Sequence, residues 1–186
     1  MPHLKKRAEK ITVEIAEIGY AGNNYNGIRK DGEAVMLTIT RAGAEALEDM
    51  CRLLGELFAM EQDFSAAVNI DKQKAGLTLI LNHPDRGVLL LLKREEQVVG
   101  MVNLAFGFST FEGGPVIMLE DFIISAAERG KGSGRFFMDG IVEYARDNGF
   151  LRITLLADAG NARALHFYEA AGYRYSKMKC LRLTLN

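Results

Sequence analysis

Apolar residues recur with two different periods along this chain, and each period predicts a different element. Ala34 to Thr40 has the length and composition of a strand, and Val88 to Leu92 predicts a buried strand. Between them, apolar residues spaced by three and four predict a helix; they are Leu47, Met50, Cys51, Leu54 and Phe58. We expect a further helix near residues 60 to 81, where Leu77 to Leu81 alone does not distinguish helix from strand.

The middle of the chain predicts antiparallel strands. Val88 to Leu92 and Val98 to Phe108 are joined by a short polar segment, which favours a hairpin. Val116 to Ile124 forms a third apolar run, but Glu120 and Asp121 interrupt it. Two adjacent acids inside a predicted strand require an explanation.

The last third of the chain alternates helices with strands. The predicted elements are, in order, a helix from Arg135 to Asn148, a strand from Phe150 to Ala157, a short helix from Asn161 to Ala171 and a final strand from Tyr173 to Leu185. Gly149 suits a left-handed cap after the first helix, and Gly172 ends the second. This order of elements favours a mixed sheet covered by helices.

Residues 1–33 read as an N-terminal extension to a domain that comprises residues 34–186. Ile11, Val13 and Ile15 alternate with polar residues as in a strand, and Asn23 to Gly27 predicts a turn. Such an apolar stripe has to be buried, so we expect the extension to add an edge strand or to serve as the arm of a homodimer.

Composition narrows the classes of function. The chain has 186 residues, with 23 Lys plus Arg against 24 Asp plus Glu, and its formal net charge is -1. It therefore lacks the broad attraction to phosphate backbones that nucleic-acid binding needs, and we expect no nucleic-acid partner. The longest aliphatic run is far shorter than a membrane span, so we expect a cytoplasmic protein with no membrane partner. Cys51 and Cys180, each among apolar residues, are expected to be reduced core thiols, with no metal site.

A glycine-rich segment, Arg129 to Arg135, carries the strongest indication of chemistry. It has glycine at 130, 132 and 134 and lies between a predicted strand and a predicted helix. Main-chain N–H groups at a helix start bind anions, and glycines let a phosphate approach closely, so the segment suits a diphosphate. The spacing alone also fits a plain turn. It fits neither a dinucleotide fingerprint, which requires glycine at 135, nor a P-loop.

Two motifs resemble those of the GNAT superfamily of N-acetyltransferases. Arg129-x-x-Gly132-x-Gly134 is similar to the acetyl-CoA motif of that family, and the preceding Leu119 to Ile124 resembles the family's fourth strand. Asn161 to Tyr173 resembles its second motif. The resemblance covers residues 34 to 186. It implies an α/β fold, α+β in some schemes, with a mixed, mostly antiparallel central sheet covered by helices on both faces.

The resemblance implies acetyl-CoA as co-substrate. Main-chain N–H groups from Gly130 to Arg135 would hold its pyrophosphate, and Phe122 to Ile124 would pair with its pantetheine arm as an added strand does. Asn161 would hydrogen-bond the same arm, although Asn at this place is equally suited to be a helix N-cap. Ser133 departs from the aliphatic residue common between the two motif glycines. The implied cofactor-binding residues are Phe122, Ile123, Ile124, Arg129, Gly130, Lys131, Gly132, Ser133, Gly134, Arg135 and Asn161.

The resemblance also implies two catalytic residues. Tyr168 would act as general acid toward the departing CoA thiolate; it lies seven positions after Asn161 and therefore on the same helix face. Glu120 would be the base that deprotonates the amine, as proposed for the similar Leu-Glu-Asp-Phe-Phe run of diamine N-acetyltransferases, with a water chain as the alternative. Asp121 is expected to be structural. The main-chain N–H of Ile123 or its neighbour would hold the oxyanion.

The acceptor site is where the sequence is least informative. In this family the first helix and the loop after it contribute most of that site, so Glu61, Asp63 and Phe64 are candidate substrate-binding residues, and the two acids favour a cationic amine. A solvated charged loop is the other interpretation. Phosphinothricin, aminoglycoside, amino-acid and protein N-terminal acceptors all stay open.

The resemblance implies an N-acetyltransferase that moves the acetyl group of acetyl-CoA to a primary amine of a small molecule or peptide by direct attack in a ternary complex. The alternative is a catalytically silent acetyl-CoA-binding sensor or regulatory module of the same fold. An unrelated phosphate-binding or interaction domain is a third interpretation.

Overall fold

The computed structural model describes residues 25–28, 34–60 and 69–185. Its strands are β1 (Tyr25–Ile28), β2 (Ala34–Arg41), β3 (Gly87–Arg94), β4 (Gln97–Ser109), β5 (Gly114–Ile124) and β6 (Ile153–Leu155). Its helices are α1 (Leu47–Phe58), α2 (Ile70–Asn82), α3 (Ser133–Asp147) and α4 (Ala162–Ala170), with 3-10 turns at Ala44–Ala46 and Ala126–Glu128. The chain forms two compact units: the first ends at Leu156, and the second begins at Ala157 and contains α4.

The strands form one sheet in the order β1-β2-β3-β4-β5-β6. Each strand is antiparallel to the next, except that β5 and β6 are parallel. A parallel pair needs a crossover connection, and α3 provides it. The prediction of a mixed, mostly antiparallel sheet is confirmed.

Helices cover both faces of the sheet. Successive side chains of a strand point to opposite faces, and Phe122 and Ile123 mark the two faces on β5. The Phe122 ring stacks on Phe137 of α3 with centroids 5.7 Å apart, whereas Ile123 belongs to the apolar cluster beneath α1 and α2. That cluster comprises Ala46, Met50, Cys51, Leu53, Leu54, Leu57, Leu77, Leu89, Leu91, Val98, Met101 and Ile123. The expected covering of both faces is confirmed.

The position of β3 within the sheet explains why its sequence is continuously apolar. Every residue from Gly87 to Leu92 is buried, because helices lie on both sides of the sheet at this point. Fully burying one Leu side chain contributes about 1.5–3 kcal/mol, so this run is a large part of the core energy. The predicted hairpin between β3 and β4 is confirmed, with Arg94 paired to Gln97 across the turn.

The two glycines predicted at the ends of helices are found there. Gly149 adopts a φ of 72° just after α3, as a left-handed cap requires, and Gly172 adopts a φ of 97° after α4. The predicted helix near residues 60 to 81 is α2, and the undecided Leu77 to Leu81 segment is helical. Residues 61–68 lie outside the described residues.

Three predicted elements differ from the structure. Tyr173 to Leu185 forms no strand, since a strand requires a paired neighbour for its main-chain groups and this segment has no ladder pairing among the described residues. The strand predicted from Phe150 to Ala157 is limited to Ile153–Leu155, the part that pairs with β5. The turn predicted from Asn23 to Gly27 is wrong from Tyr25 onward, since β1 pairs there with β2.

The two cysteines differ in environment. Cys51 is buried on α1, as expected, and burial, followed by the nearby charge of Glu48, raises the pKa of its thiol. Cys180 is exposed, so its predicted place in a core is wrong; the cause is that its segment is not paired in a sheet. The apolar stripe at Ile11, Val13 and Ile15 lies outside the described residues, so the dimer arm and the boundary at residue 34 stay predictions.

The close approach of β4 to β5 at Gly100 can be tested by substitution. A methyl group on Gly100 of β4 would lie 2.8 Å from Cδ1 of Ile124, 3.0 Å from the carbonyl oxygen of Ile123 and 3.3 Å from Cβ of Leu92. Gly100→Ala should therefore lower the free energy of unfolding by about 1–3 kcal/mol, measured by urea denaturation. Gly76→Ala is the matched control, because a methyl group there meets nothing within 4 Å on α2. It should stabilise by about 0.5–1 kcal/mol. Equal stability of the two variants would contradict the packing described for β4 and β5.

Candidate functional site

The parallel pairing of β5 and β6 ends before β5 does. Residues Ile117–Leu119 of β5 pair with Ile153–Leu155, which is the whole of β6, yet β5 continues to Ile124. Among the described strands, none pairs with the far side of β5 from Glu120 to Ile124. We call this side of Glu120 to Ile124 the open edge.

Ile124 presents main-chain groups to the open edge. The N–H of Ser125 donates to the Val99 carbonyl oxygen at 2.8 Å and therefore faces β4. In a trans peptide the carbonyl points the opposite way, so the Ile124 carbonyl faces the open edge. The Ile123 carbonyl points toward Gly100 of β4, and by the same reasoning the Ile124 N–H also faces the open edge.

The side chain of Arg129 is partly buried and is held by several contacts. Its Nε donates to the Ile124 carbonyl at 2.8 Å, and its Nη1 donates to the sulfur of Met60 at 3.2 Å. Its Nη2 lies 3.9 Å from Oε2 of Glu56, the same oxygen that accepts a hydrogen bond of 3.0 Å from the N–H of Ala126. The side chain thus ties β5 to α1, and the main chain of Arg129 lines the glycine segment.

A bulge explains the acid pair in β5. Asn103 pairs with Glu120 and Met101 pairs with Ile123, so β5 has one more residue than β4 between these pairs. The extra residue leaves Asp121 with a φ of 52°, in the left-handed region that Asp tolerates better than most L-residues. Glu120 is exposed, whereas Asp121 is partly buried.

The Asp121 carboxyl is biased toward its neutral form. Burial, followed by the charge of Glu120, raises the pKa of Asp121, and a hydrogen bond with Asn103 opposes that rise. Asn103 is itself buried, and its side-chain oxygen has no hydrogen-bond partner among the described residues. The bulge therefore holds a desolvated carboxyl beside an exposed one.

The glycine segment after β5 has the form of an anion-binding turn. Gly130 and Gly132 adopt φ values of 80° and 86°, and α3 begins immediately after Gly132 without a side-chain cap. The segment from Gly130 to Gly132 is exposed, and a Cβ on either glycine would meet nothing within 4 Å. The N–H groups in the first turn of an α-helix precede its regular hydrogen bonds, so a helix start of this kind can bind an anion. We call Arg129 to Gly132 and the first turn of α3 the anion loop.

A buried carboxylate lies beneath the anion loop. Glu128 is 4% exposed and accepts hydrogen bonds from Nε of Arg94 at 2.9 Å, from Nη2 of Arg94 and from Oγ of Ser133 at 2.5 Å. Lys131 lies 3.5 Å from the same carboxylate. Burial acts to raise the pKa of Glu128, but the bonds from Arg94 and Ser133 and the positive charges outweigh it, so the pKa is lowered.

The network beneath the loop was missed from the sequence. Ser133 is fully buried with its hydroxyl on Glu128, and the cofactor contact expected for this residue stays a prediction. Arg94 and Glu128 are 34 residues apart, and no local pattern indicates that they meet. Arg135 lies on the exposed face of α3, where it pairs with Asp139 at 2.9 Å.

The second unit carries the other two predicted residues. The Asn161 side chain accepts a hydrogen bond from the N–H of Ala164 at 3.0 Å, so its role as the N-cap of α4 is confirmed. The Tyr168 ring makes edge-on contacts with Phe167 and Tyr173, at centroid distances of 5.4 and 5.7 Å. Burial, followed by the proximity of Tyr168, raises the pKa of Tyr173 to about 12.

The structure thus brings together part of the predicted site. Glu120, Phe122 to Ile124 and the anion loop form a continuous stretch of the first unit, whereas Asn161 and Tyr168 share the second. Glu61, Asp63 and Phe64, the predicted substrate-binding residues, lie outside the described residues.

The described ranges contain neither a metal-binding cluster nor a membrane-spanning helix. Across residues 25–28, 34–60 and 69–185, no group of three or more His, Cys, Asp or Glu side chains is arranged to hold a metal ion. Within the same ranges, no helix has both the length and the apolar character needed to cross a membrane.

Sequence comparison gives a family. Residues 47–173 match the model of the acetyltransferase (GNAT) family. The chain is also 28% identical over 92 residues to YhfO, an uncharacterized N-acetyltransferase of Bacillus subtilis (strain 168). That alignment covers 50% of this chain and 60% of YhfO, so the match spans less than two thirds of that protein.

Solved structures share the fold. A possible acetyltransferase from Clostridium difficile 630 has a TM-score of 0.72 at 16% identity, with 81% of this chain and 98% of that chain covered. A soil-metagenome aminoglycoside acetyltransferase in complex with sisomicin has a TM-score of 0.65 at 17% identity, covering 81% and 97%. Glucosamine-6-phosphate N-acetyltransferase from Arabidopsis thaliana has a TM-score of 0.61 at 16% identity, covering 79% and 97%.

The mixed sheet has the fold of a solved structure named as a possible acetyltransferase, and the family match assigns the chain to the acyltransferase class. The family model matches more than half of the chain. The chain therefore belongs to the acetyltransferase (GNAT) family.

The raised pKa of Asp121 predicts how the stability of the protein depends on pH. Because the folded protein raises this pKa, the contribution of Asp121 to stability is present below its unfolded pKa and is lost as pH rises through the folded value. Asp121→Asn removes the charge and keeps a residue that tolerates left-handed φ. The variant should therefore be more stable than the wild type at pH 7, and the gain should shrink toward pH 3.

Thermal and urea unfolding across pH 3–7 would measure this gain. Asp139→Asn, on the exposed face of α3, is the matched control. Its free energy of unfolding should differ from that of the wild type by less than about 1 kcal/mol. A loss of stability on Asp121→Asn at pH 7 would contradict the assigned burial of this carboxyl.

Proposed function

We propose that the protein is an N-acetyltransferase that moves the acetyl group of acetyl-CoA to a primary amine of a small molecule or peptide by direct attack in a ternary complex. The observation that carries the proposal is that the open edge of β5 leads directly into the anion loop within one compact unit. Acetyl-CoA has matching chemistry, since an amide-containing pantetheine arm precedes its diphosphate.

The anion loop fits the diphosphate. Its exposed glycines leave room for phosphate oxygens at the main chain, and the start of α3 supplies main-chain N–H groups and a favourable dipole. Lys131 and Arg135, which pair with Glu128 and Asp139, are each 56% exposed at the side chain, and their positive charges lie beside the loop. These groups support the assignment of Gly130 to Arg135 to the diphosphate.

The open edge fits the pantetheine arm. An extended arm that starts at the anion loop would run along β5 from Ile124 back toward Glu120, pairing with main-chain groups as an added strand. We assign the Ile124 N–H to this arm, because Arg129 already occupies the Ile124 carbonyl. Main-chain groups alternate along a strand, so the N–H of Phe122, the neighbour of Ile123, is our candidate for the oxyanion.

Proton transfer requires two further groups. An alkylamine is mostly protonated at neutral pH, and Glu120 is exposed at the bulge end of the open edge, where it could accept that proton. Tyr168 is assigned as the general acid toward the departing thiolate on the basis of its place in the second motif. Asn161 contributes its side-chain oxygen to the cap of α4, and we assign its amide N–H groups to the pantetheine arm.

The acceptor is proposed as a small-molecule amine. Two structural neighbours are acetyltransferases for amine-bearing sugars, namely an aminoglycoside acetyltransferase and glucosamine-6-phosphate N-acetyltransferase. This supports the class of acceptor and no particular compound. Glu61 and Asp63 are our candidates for contacts with a cationic amine.

Binding of acetyl-CoA tests the donor site. Isothermal titration should show selective binding of acetyl-CoA, with NAD and ATP as ligand controls. Gly132→Asp should weaken acetyl-CoA binding by about tenfold or more, because a carboxylate at the loop repels the diphosphate.

Gly149→Asp provides a matched control for this variant. It adds the same charge at a similar left-handed φ, 72° against 86°, but at the opposite end of α3. The affinity of Gly149→Asp for acetyl-CoA should equal that of the wild type. Absence of acetyl-CoA binding by the wild type, or equal affinity of the two variants, would refute the donor site.

Turnover tests the two proton-transfer residues. Glu120→Gln and Tyr168→Phe should each lower kcat by about 10²- to 10⁴-fold while acetyl-CoA affinity changes little, because each removes a proton-transfer group. Asp121→Asn should retain most activity and is the isosteric control for the neighbouring acid. Thiol release from acetyl-CoA with a panel of amines measures kcat. Acetyl-CoA binding without thiol release for any amine would favour the silent module. A larger loss of kcat on Asp121→Asn than on Glu120→Gln would exchange the roles of the two acids.

A further inference from the structure

The anion loop is closed into a ring by a contact beneath it. Glu128 precedes the loop and Ser133 follows it, and the Ser133 hydroxyl donates to the Glu128 carboxylate at 2.5 Å. Both side chains are buried, at 4% and 0% exposure. The four residues between them, Arg129 to Gly132, are therefore spanned by one charge-assisted hydrogen bond.

The ring is attached to the centre of the sheet. Arg94, at the end of β3, donates two hydrogen bonds to Glu128 and also lies 3.4 Å from the Ser133 hydroxyl. A guanidinium that binds a carboxylate with two parallel bonds fixes its orientation as well as its position. Arg94, Glu128 and Ser133, which we call the loop clamp, thus connect the loop to one of the most buried strands.

The loop needs such an attachment because of its own composition. Gly130 and Gly132 both have positive φ, and glycine loses more conformational freedom on ordering than any other residue. A loop that is ordered before the ligand arrives does not incur that entropy loss on binding. A clamp that lies beneath the loop leaves its outer face and its N–H groups open to an anion.

The charges of the clamp are also consistent with an anion above it. An unpaired buried carboxylate would repel a diphosphate, but Arg94 neutralises Glu128 and keeps it ionised. Ser133 stands where the family resemblance has an aliphatic residue, so the hydroxyl that completes the clamp is a feature of this chain rather than of the motif.

We propose that Arg94, Glu128 and Ser133 are positioning residues that hold the anion loop in its diphosphate-binding shape before acetyl-CoA binds. Their side chains act through the loop and do not contact the donor. The proposal rests on the proposed function, since it assigns the diphosphate of acetyl-CoA to this loop. Its specific consequence is that the clamp sets affinity for the diphosphate part of the donor and leaves affinity for the pantetheine part unchanged.

The test compares two ligands that differ in the diphosphate. Acetyl-CoA and S-acetyl-pantetheine share the thioester and the arm, but the second lacks the diphosphate and the nucleotide. Titration calorimetry would give the Kd of both ligands for the full-length wild type, Ser133→Ala and Arg94→Lys. Ser133→Ala removes one hydroxyl and keeps the Arg94–Glu128 pair, and Arg94→Lys keeps the charge and loses the two-bond geometry.

Each variant should raise the Kd of acetyl-CoA by about tenfold, the scale of one lost charge-assisted hydrogen bond, with the Kd of S-acetyl-pantetheine unchanged. In turnover assays the KM for acetyl-CoA should rise while kcat at saturation stays within about twofold, because the chemistry is left intact. Arg152→Ala is the control, since it breaks the Arg152–Glu112 ion pair elsewhere on the same unit. It should change neither Kd.

The remaining outcomes separate the two proposals. If the wild type binds acetyl-CoA no more tightly than S-acetyl-pantetheine, the donor site and the clamp both fail. If the wild type shows the preference and both variants keep it in full, the clamp alone is refuted. Equal losses for the two ligands would also refute the clamp, because they would indicate a general loosening of the fold.

Discussion

The early end of the β5–β6 ladder is the constraint on which the candidate site depends. β6 stops pairing at Leu119, and the main-chain groups that follow on that side of β5 meet no strand among the described elements. Exposed strand edges attract other extended chains, and proteins usually protect them. In the proposed complex the pantetheine arm takes the place of that strand, so donor binding and completion of the sheet are a single event.

The supports of the site come from the parts of the fold that are packed most tightly. β3 is buried on both faces, and its last residue, Arg94, extends toward the anion loop. α1 packs on the sheet and contributes Glu56, which contacts the loop's Arg129 and the turn before it. The exposed glycines therefore lie on a base that is fixed by the hydrophobic core.

The sequence predicts features that are determined locally and misses those that depend on distant partners. The β3–β4 hairpin and the cap at Gly149 were predicted because run length and residue type specify them. The glycines at 130 and 132 predicted a turn before α3, and the turn is observed, whereas its binding of an anion stays a prediction. The strand expected from Tyr173 to Leu185 was wrong, because apolar alternation does not supply a pairing partner. The contact of Arg94 with Glu128 joins residues distant in the chain, and no periodicity encodes it.

The backbone of Asp121 changes what sequence variation at this position would mean. A φ of 52° inside a strand is tolerated far better by Gly, Asn and Asp than by other residue types. Relatives with the same bulge should therefore vary at position 121 within that small set, whatever reaction they catalyse. Restriction of this position to Gly, Asn and Asp would report the shape of the strand, whereas invariance of the acid at 120, which carries no such restriction, would report selection on chemistry.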